Sequence, residues 1–247
     1  MNILIGIDDT DTRLTRGTGF HARQMAAAIE EAGLGTVSGI TRHQNYVHTE
    51  IAYTSQNSSA CLEVKAAEPE PLKSFCSNFL LEIAPEGSDV GLCIAEEDAI
   101  GKETEMWGIR AKREVLTKDE AVKIARNNGI FLEGLTGTRD GMIGALAAVG
   151  LRKGGNDGRF IWLRRKKELR EVEPGFYSPE WLKSHLGVGN IVDMEGNEVE
   201  TPAEIYLHEW FRPVLRNHLI TLIIEKTSEN GKDYWRYASK DFIRAHS

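Results

Sequence analysis

Residues 2–7 are apolar, short and stopped by polar residues, so they read as a buried strand. That strand runs straight into Asp8-Asp9-Thr10-Asp11. A chain that buries this strand must therefore seat three carboxylates within four residues at its end. Such charges repel one another, and a fold tolerates them when a cation neutralises them or when all three face water. Mg²⁺ suits hard oxygen ligands of this kind, because it keeps several waters and takes one or two carboxylates plus substrate phosphates. Strand ends at the mouth of a sheet are also where α/β folds bind ligands. The plainer alternative is a solvated acidic turn that caps the next helix. A position directly after a buried strand, ahead of a glycine-rich helix start, favours the metal reading. Asp8, Asp9 and Asp11 are the candidate ligands.

Two glycine-rich segments follow strands: Arg16-Gly17-Thr18-Gly19 and Gly134-Leu135-Thr136-Gly137-Thr138-Arg139-Asp140-Gly141. Glycine lets the backbone approach a phosphate, and a helix N-terminus presents free N–H groups. Gly17, Gly19, Gly134, Gly137 and Gly141 are candidate phosphate-binding positions, with Thr18, Thr136 and Thr138 as hydroxyl donors. Arg16 and Arg139 supply guanidinium groups that pair with phosphate oxygens. Neither segment is a Walker A, since no Gly-Lys-Ser/Thr is present, and neither completes a dinucleotide fingerprint. Taken singly, each is more often a plain connection. Together with the acidic turn they make a set suited to ATP and Mg²⁺. The turn is not the Asp-x-Asp-x-Thr/Val of haloacid-dehalogenase phosphatases, because Arg13 stands at the last place.

The remaining patterning gives an α/β or α+β fold with a mixed sheet. A first, kinase-like domain is expected over residues 1–168, and a small α+β domain, ferredoxin-like in its layer, over 169–247. Helices are expected over 19–32, 69–81, 141–149, 179–185 and 203–215. A further one starts at the Thr117–Glu120 capping box and is closed by Gly129. Strands are expected over 47–53, 60–64, 90–95, 130–132, 160–163, 219–225 and 234–237, with a hairpin at 195–197. A net charge of −7 from 30 Lys+Arg and 37 Asp+Glu fits an enzyme and does not favour broad RNA binding. The one dense basic run, residues 164–170, reads as a solvated strand end or linker before an RNA grip. No apolar run reaches the ~20 residues that cross a bilayer, and the N-terminus lacks a signal-peptide pattern. Cys61, Cys76 and Cys93 form no C-x-x-C pair, which removes a zinc ribbon and points to a reducing cytoplasm.

Other polar residues admit two readings. Arg42, Asn45, Asn57 and Ser58 are candidate substrate contacts within polar turns. His43 and His48 are more simply exposed than metal-binding. His21 is either a proton carrier or a partly exposed helix residue. Glu204, His208 and Glu209 share a helical spacing without a third positioned ligand. Trp210, Phe211 and Trp235 read as core anchors.

Gly6-Ile7-Asp8-Asp9-Thr10-Asp11 resembles the opening of the archaeal agmatinylcytidine synthetase family, which makes agmatidine in isoleucine tRNA. Residues 141–150, Gly-Met-Ile-Gly-Ala-Leu-Ala-Ala-Val-Gly, resemble that family's glycine-alanine helix, and residues 54–60 a shorter polar stretch containing an Asn. The similarity spans roughly residues 1–165, the family's kinase-like domain. It implies that the acidic turn binds Mg²⁺, that the domain binds ATP, and that phosphoryl transfer activates a cytosine carbonyl for displacement by agmatine. It makes Asp8, Asp9 and Asp11 metal ligands and catalytic residues, and the 134–141 loop an ATP wall. The family's Gly-Met-Cys-Thr-Thr, which carries a phosphorylated Thr, is here Gly17-Thr18-Gly19-Phe20-His21, with Thr18 and His21 as the nearby catalytic candidates. The family's OB-fold and cysteine zinc ribbon have no counterpart in this sequence. The expected activity is ATP- and Mg²⁺-dependent phosphoryl transfer to an acceptor that an amine then attacks. Alternatives are a non-catalytic nucleotide-binding regulator on the same fold and an RNA-modifying factor that relies on a partner.

Overall fold

The computed structural model describes residues 1–54, 56–163, 168–199, 202–229 and 231–247. The chain divides into two compact units, Met1–Gly154 and Gly155–Ser247. The division precedes the strand at 159–163, whereas the sequence pattern suggested a boundary after it.

The first unit runs β1 (Asn2–Asp8), α1 (Thr18–Glu31), β2 (Thr36–Gln44), β3 (Ser58–Lys65), α2 (Glu70–Ile83), β4 (Gly91–Glu96), α3 (Lys102–Arg110), α4 (Lys118–Asn127), β5 (Phe131–Gly134) and α5 (Gly141–Gly154). Its strands lie in the order β5-β4-β1-β3-β2, each antiparallel to its neighbours. Strand side chains alternate between faces. On β1 the even positions Leu4 and Gly6 face α5: Leu4 joins the core of Trp107, Ile124 and Ala145–Val149, and a Cβ at Gly6 would lie 2.1 Å from the Ala145 carbonyl oxygen. The odd positions Ile3, Ile5 and Ile7 are fully buried as well, so β1 is covered on both faces. Small residues in α5 allow this close approach. The Thr117 hydroxyl caps α4 by accepting from the Glu120 N–H, as the capping box predicts.

The second unit is a small α+β layer. It runs β6 (Arg159–Leu163), β7 (Gly175–Tyr177), α6 (Pro179–Leu186), β8 (Asn190–Val192), β9 (Ile205–Leu207), β10 (Val214–Arg216), β11 (Leu219–Glu229), β12 (Lys232–Tyr237) and α7 (Lys240–Ala245). Strands β6-β10-β11-β12-β9-β7 are successive neighbours, and β8 and β9 pair in parallel with β11 and β12, so the sheet is mixed as expected. With β8 to β12 all falling between its two helices, its order differs from a ferredoxin-like βαββαβ layer. Phe211, Leu222, Ile224 and Tyr237 anchor its core. The buried Tyr237 hydroxyl donates to the Arg212 carbonyl at 2.5 Å. Tyr237→Phe removes that bond and nothing of the ring, so it should cost about 1–2 kcal/mol in denaturant unfolding.

Two expected elements are corrected. Residues 47–53 form a loop, and the strand lies earlier, at β2. Residues 203–215 are not a helix. Ile205 and Leu207 are buried on either side of half-buried Tyr206, a period of two, and Pro213 would break a helix. A β10–β11 hairpin follows, turned by Asn217 and His218 with φ of 48° and 61°, as a two-residue primed turn requires. Glu204, His208 and Glu209 therefore share no helix face. Within the basic run, residues 164–167 lie outside the described residues. Cys61, Cys76 and Cys93 are free and buried, and burial pushes the Cys61 and Cys76 thiols up to about 12. Among the described residues no helix is long and apolar enough to cross a membrane.

Candidate functional site

Antiparallel pairing assembles the site. In register, Asp8 stands opposite Gly91, Gly91 opposite Gly134, Ile7 opposite Ala60, and Gln44 opposite Ser58. The end of β1, the residues before β3 and β4 and the residues after β2 and β5 thus meet at one edge of the sheet. Asp8, Asp9, Asp11, Asn45, Asn57, Ser88, Asp89 and Asp140 come together there from distant parts of the sequence. They line a cleft of about 560 Å³. Ala111, Val115, Leu116, Thr117 and Lys118 line it as well, as do Glu50–Thr54.

Asp8 shares the even face of β1 and points at α5, where a Cβ on Gly144 would lie 1.7 Å from its Oδ2. It is only 5% exposed. Burial holds its carboxyl well above the usual range, repulsion from Asp9 and Asp11 adds to this, and Arg42 opposes it. Asp9 sits in the left-handed region at φ 51°. Burial, then the charges of Asp89, Asp11 and Asp140, push its carboxyl up to about 7. Asp11 differs. Its Oδ1 accepts from the Thr18 N–H at 3.2 Å and the Thr18 hydroxyl at 3.0 Å, and its Oδ2 accepts from the Thr54 hydroxyl at 2.8 Å. It ties the start of α1 to the loop ahead of β3. His21 is buried, with Nδ1 hydrogen-bonded to the Thr10 hydroxyl at 2.9 Å. Burial lowers its pKa, and the bond to Thr10 braces the turn.

A smaller polar chamber of about 40 Å³ adjoins the cleft at the same three aspartates and is lined also by Gly17, Thr18, Arg42, Asn57 and Ser58. The Arg42 Nε donates to the Ser58 hydroxyl at 2.8 Å. The sequence-based substrate candidates therefore gather here, with Asn45 on the cleft side.

The second glycine segment is placed differently from its expected role as an ATP wall. Of residues 134–141 only Asp140 lines the cleft. The Thr136 hydroxyl accepts from the Val90 N–H and donates to the Ser88 carbonyl, and the Thr138 N–H donates to Asp89 Oδ1. A Cβ on Gly137 or Gly141 would meet Asp89 or Gly91, and the Arg139 side chain lies over Gly134. Thr136, Gly137, Thr138 and Gly141 thus latch this loop onto residues 88–91. Gly19 lines neither cavity. His43 is fully buried beside Thr41, and its Nε2 is 2.8 Å from the Thr41 hydroxyl. Sequence reasoning missed Asp89 and Lys118. Asp89 carries no local motif. Lys118 lay in plain sight inside the capping box.

The donor set suits a hard divalent cation. It offers oxygen ligands, mostly carboxylate, and those of Asp8 and Asp9 are desolvated and repelled by neighbouring acids, which a positive ion relieves. Among the described residues no three His, Cys, Asp or Glu side chains converge into a ready-made cage. The fit is to an open site that completes its shell with water and substrate oxygens, as Mg²⁺ sites do.

No protein-family model matches the chain. An uncharacterized protein of Methanocaldococcus jannaschii is 30% identical over 157 residues, which is 60% of this chain and 49% of that one. Among solved structures, apo TiaS, the agmatidine synthetase of an isoleucine tRNA, is 27% identical with a TM-score of 0.54, over 61% of this chain and 35% of its own. The TiaS complex with that tRNA and ATP is 28% identical with a TM-score of 0.55, over 61% and 36%. The TiaS complex with the tRNA, AMPCPP and agmatine is 26% identical with a TM-score of 0.54, over the same shares. The chain thus spans about half the length of its curated relative and about a third of the TiaS chains. It resembles TiaS in structure, and TiaS has been captured with ATP, its isoleucine tRNA and agmatine.

Proposed function

We propose that the first unit binds ATP with Mg²⁺ in the larger cleft and transfers a phosphoryl group to an acceptor, in a reaction related to that of TiaS. The observation that carries this reading is the pair of desolvated carboxylates, Asp8 and Asp9, facing a cleft of about 560 Å³ in a fold shared with a protein solved with ATP. Phosphoryl transfer asks mainly for positioning and charge stabilisation, and buried, prearranged charges supply both. Mg²⁺ would bind Asp8 and Asp9 and neutralise charge on the triphosphate. Asp11 orients the turn through Thr18 and Thr54, and His21 supports it through Thr10. The acceptor oxygen forms a bond to the γ-phosphorus while the bond to the β-phosphate oxygen breaks, and ADP leaves with the electron pair. Arg42, Asn57 and Ser58, which line the small chamber beside the aspartates, are the candidate contacts for the acceptor. An amine is the second substrate by analogy with the agmatine complex of TiaS, and RNA is a candidate acceptor on the same analogy.

Calorimetric titration tests the reading. Wild-type protein should bind ATP only with Mg²⁺ present, and Asp8→Asn should weaken that binding at least tenfold. Absence of ATP binding with Mg²⁺, or binding indifferent to Asp8, sinks it. A second reading is favoured by Phe20 and His21, which replace the hydroxyl pair of the resembling family: a nucleotide-binding regulator without turnover. ATP binding with no ADP released across a panel of amines and RNAs selects it.

A further inference from the structure

We propose that Lys118 is a phosphate clamp, held in reserve by the glycine loop while the cleft is empty and transferred to the terminal phosphates when a nucleoside triphosphate enters. This rests on the nucleotide reading above. Seven carboxylates line the cleft: Asp8, Asp9, Asp11, Glu50, Asp89, Glu114 and Asp140. The described basic side chains lining it are Arg13 and Lys118. A polyphosphate cannot enter such a field without cations, and one Mg²⁺ does not offset this many acids. Arg139, the cation that the sequence pointed to, packs over Gly134 outside the cleft.

Lys118 is the first residue of α4 and lines the same cleft as the acidic turn. Its Nζ reaches the loop ahead of α5. There it donates to the Thr138 carbonyl and lies 3.0 Å from Asp140 Oδ1. Asp140 is one of the charges that act on Asp9, so Lys118 is anchored within the same electrostatic cluster as the acidic turn. The anchor is half-exposed, at 37% for the lysine and 51% for the aspartate side chain. Exposed pairs of this kind hold weakly, whereas a lysine–phosphate contact is charge-assisted and stronger. Phosphate therefore displaces Asp140. The lysine stem is long and flexible and its ammonium is a compact point charge, which suits a group that changes partner without moving α4.

The test is a titration of ATP, ADP and AMP, with Mg²⁺, into wild type, Lys118→Gln, Lys118→Arg and Asp140→Asn. A phosphate clamp acts on the chain of phosphates. Lys118→Gln should lose about tenfold or more for ATP, in line with the usual worth of a bond to a charged group, and less than twofold for AMP. Lys118→Arg should recover most of the ATP affinity. Asp140→Asn should bind ATP as tightly as wild type or more tightly, because it frees the lysine and removes a repelling charge. A merely structural latch gives the opposite pattern, in which Lys118→Gln and Asp140→Asn weaken all three nucleotides alike, and that result overturns the proposal. Wild-type protein that binds none of the three overturns the nucleotide reading and the clamp with it. Wild-type binding without the ATP-over-AMP difference in Lys118→Gln overturns the clamp alone.

Discussion

Asp9→Asn is expected to make the metal-free protein more stable at pH 8 and to abolish its stabilisation by Mg²⁺. The folded protein holds Asp9 at about 7, against an ordinary value of 3.8. A carboxyl raised in this way favours folding when protonated. Its contribution is fully present below about pH 4 and is lost as the pH climbs through 7. Each pH unit separating those two values is worth about 1.4 kcal/mol. Because the charge is shared with buried Asp8, an effect on the order of 2–4 kcal/mol is expected between pH 4 and 8. Asparagine cannot ionise and tolerates the left-handed φ of 51° at this position. The variant should therefore show a flatter stability profile over that window. In wild type, millimolar Mg²⁺ should raise the melting temperature at pH 8 and leave it unchanged at pH 4, where the carboxyls are protonated. Thermal unfolding at both pH values, with and without Mg²⁺, reads all of these expectations. Equal Mg²⁺ responses in wild type and variant would remove the acidic turn from any metal role.

That turn was legible in the sequence because its signal is local. A buried strand followed by three acids in four residues needs no tertiary information to stand out. The helices α4 and α6 were legible for the same reason, since each carries its own N-cap in Thr117 or Ser178, and α1 because its apolar positions recur on one face. Asp89 was not legible. It becomes a neighbour of Asp9 only through the register that sets Asp8 opposite Gly91, and no spacing in the sequence encodes that pairing. The glycine segment at 134–141 misled in a related way. Glycines there allow close approach, but the group that approaches is the backbone at 88–91, not a phosphate. Residues 203–215 misled because aromatic and aliphatic residues can be fitted to a 3.6 period over a short window. Pro213 and the polar pair Asn217-His218 were the cues that the period was two. Lys118 was visible as a helix-start residue, but its contacts with Thr138 and Asp140 depend on where α5 begins relative to α4.

The largest loss of stability is expected from glycines that the site's own architecture forbids to change. A Cβ at Gly91 would fall 2.0 Å from the Gly141 carbonyl carbon and 2.3 Å from the Met142 nitrogen. At Gly6 it would fall 2.1 Å from the Ala145 oxygen. These are backbone atoms of α5, so no side chain can swing aside, and the helix must lift off the sheet. Gly91→Ala or Gly6→Ala should each cost about 3–5 kcal/mol, above the usual 1–3 for overpacking, and lower the melting temperature by about 10 °C. Gly154→Ala is the matched control. It lies at the end of the same helix with nothing within 4 Å of its Cβ, and the helix preference of alanine should make it neutral or stabilising by up to about 1 kcal/mol. The same close approach brings Gly144 against Asp8, so helix and carboxylate are set by one contact surface. If Gly91→Ala unfolds no more readily than Gly154→Ala, α5 is not held at this distance. The burial of Asp8, which rests on that distance, then loses its physical cause.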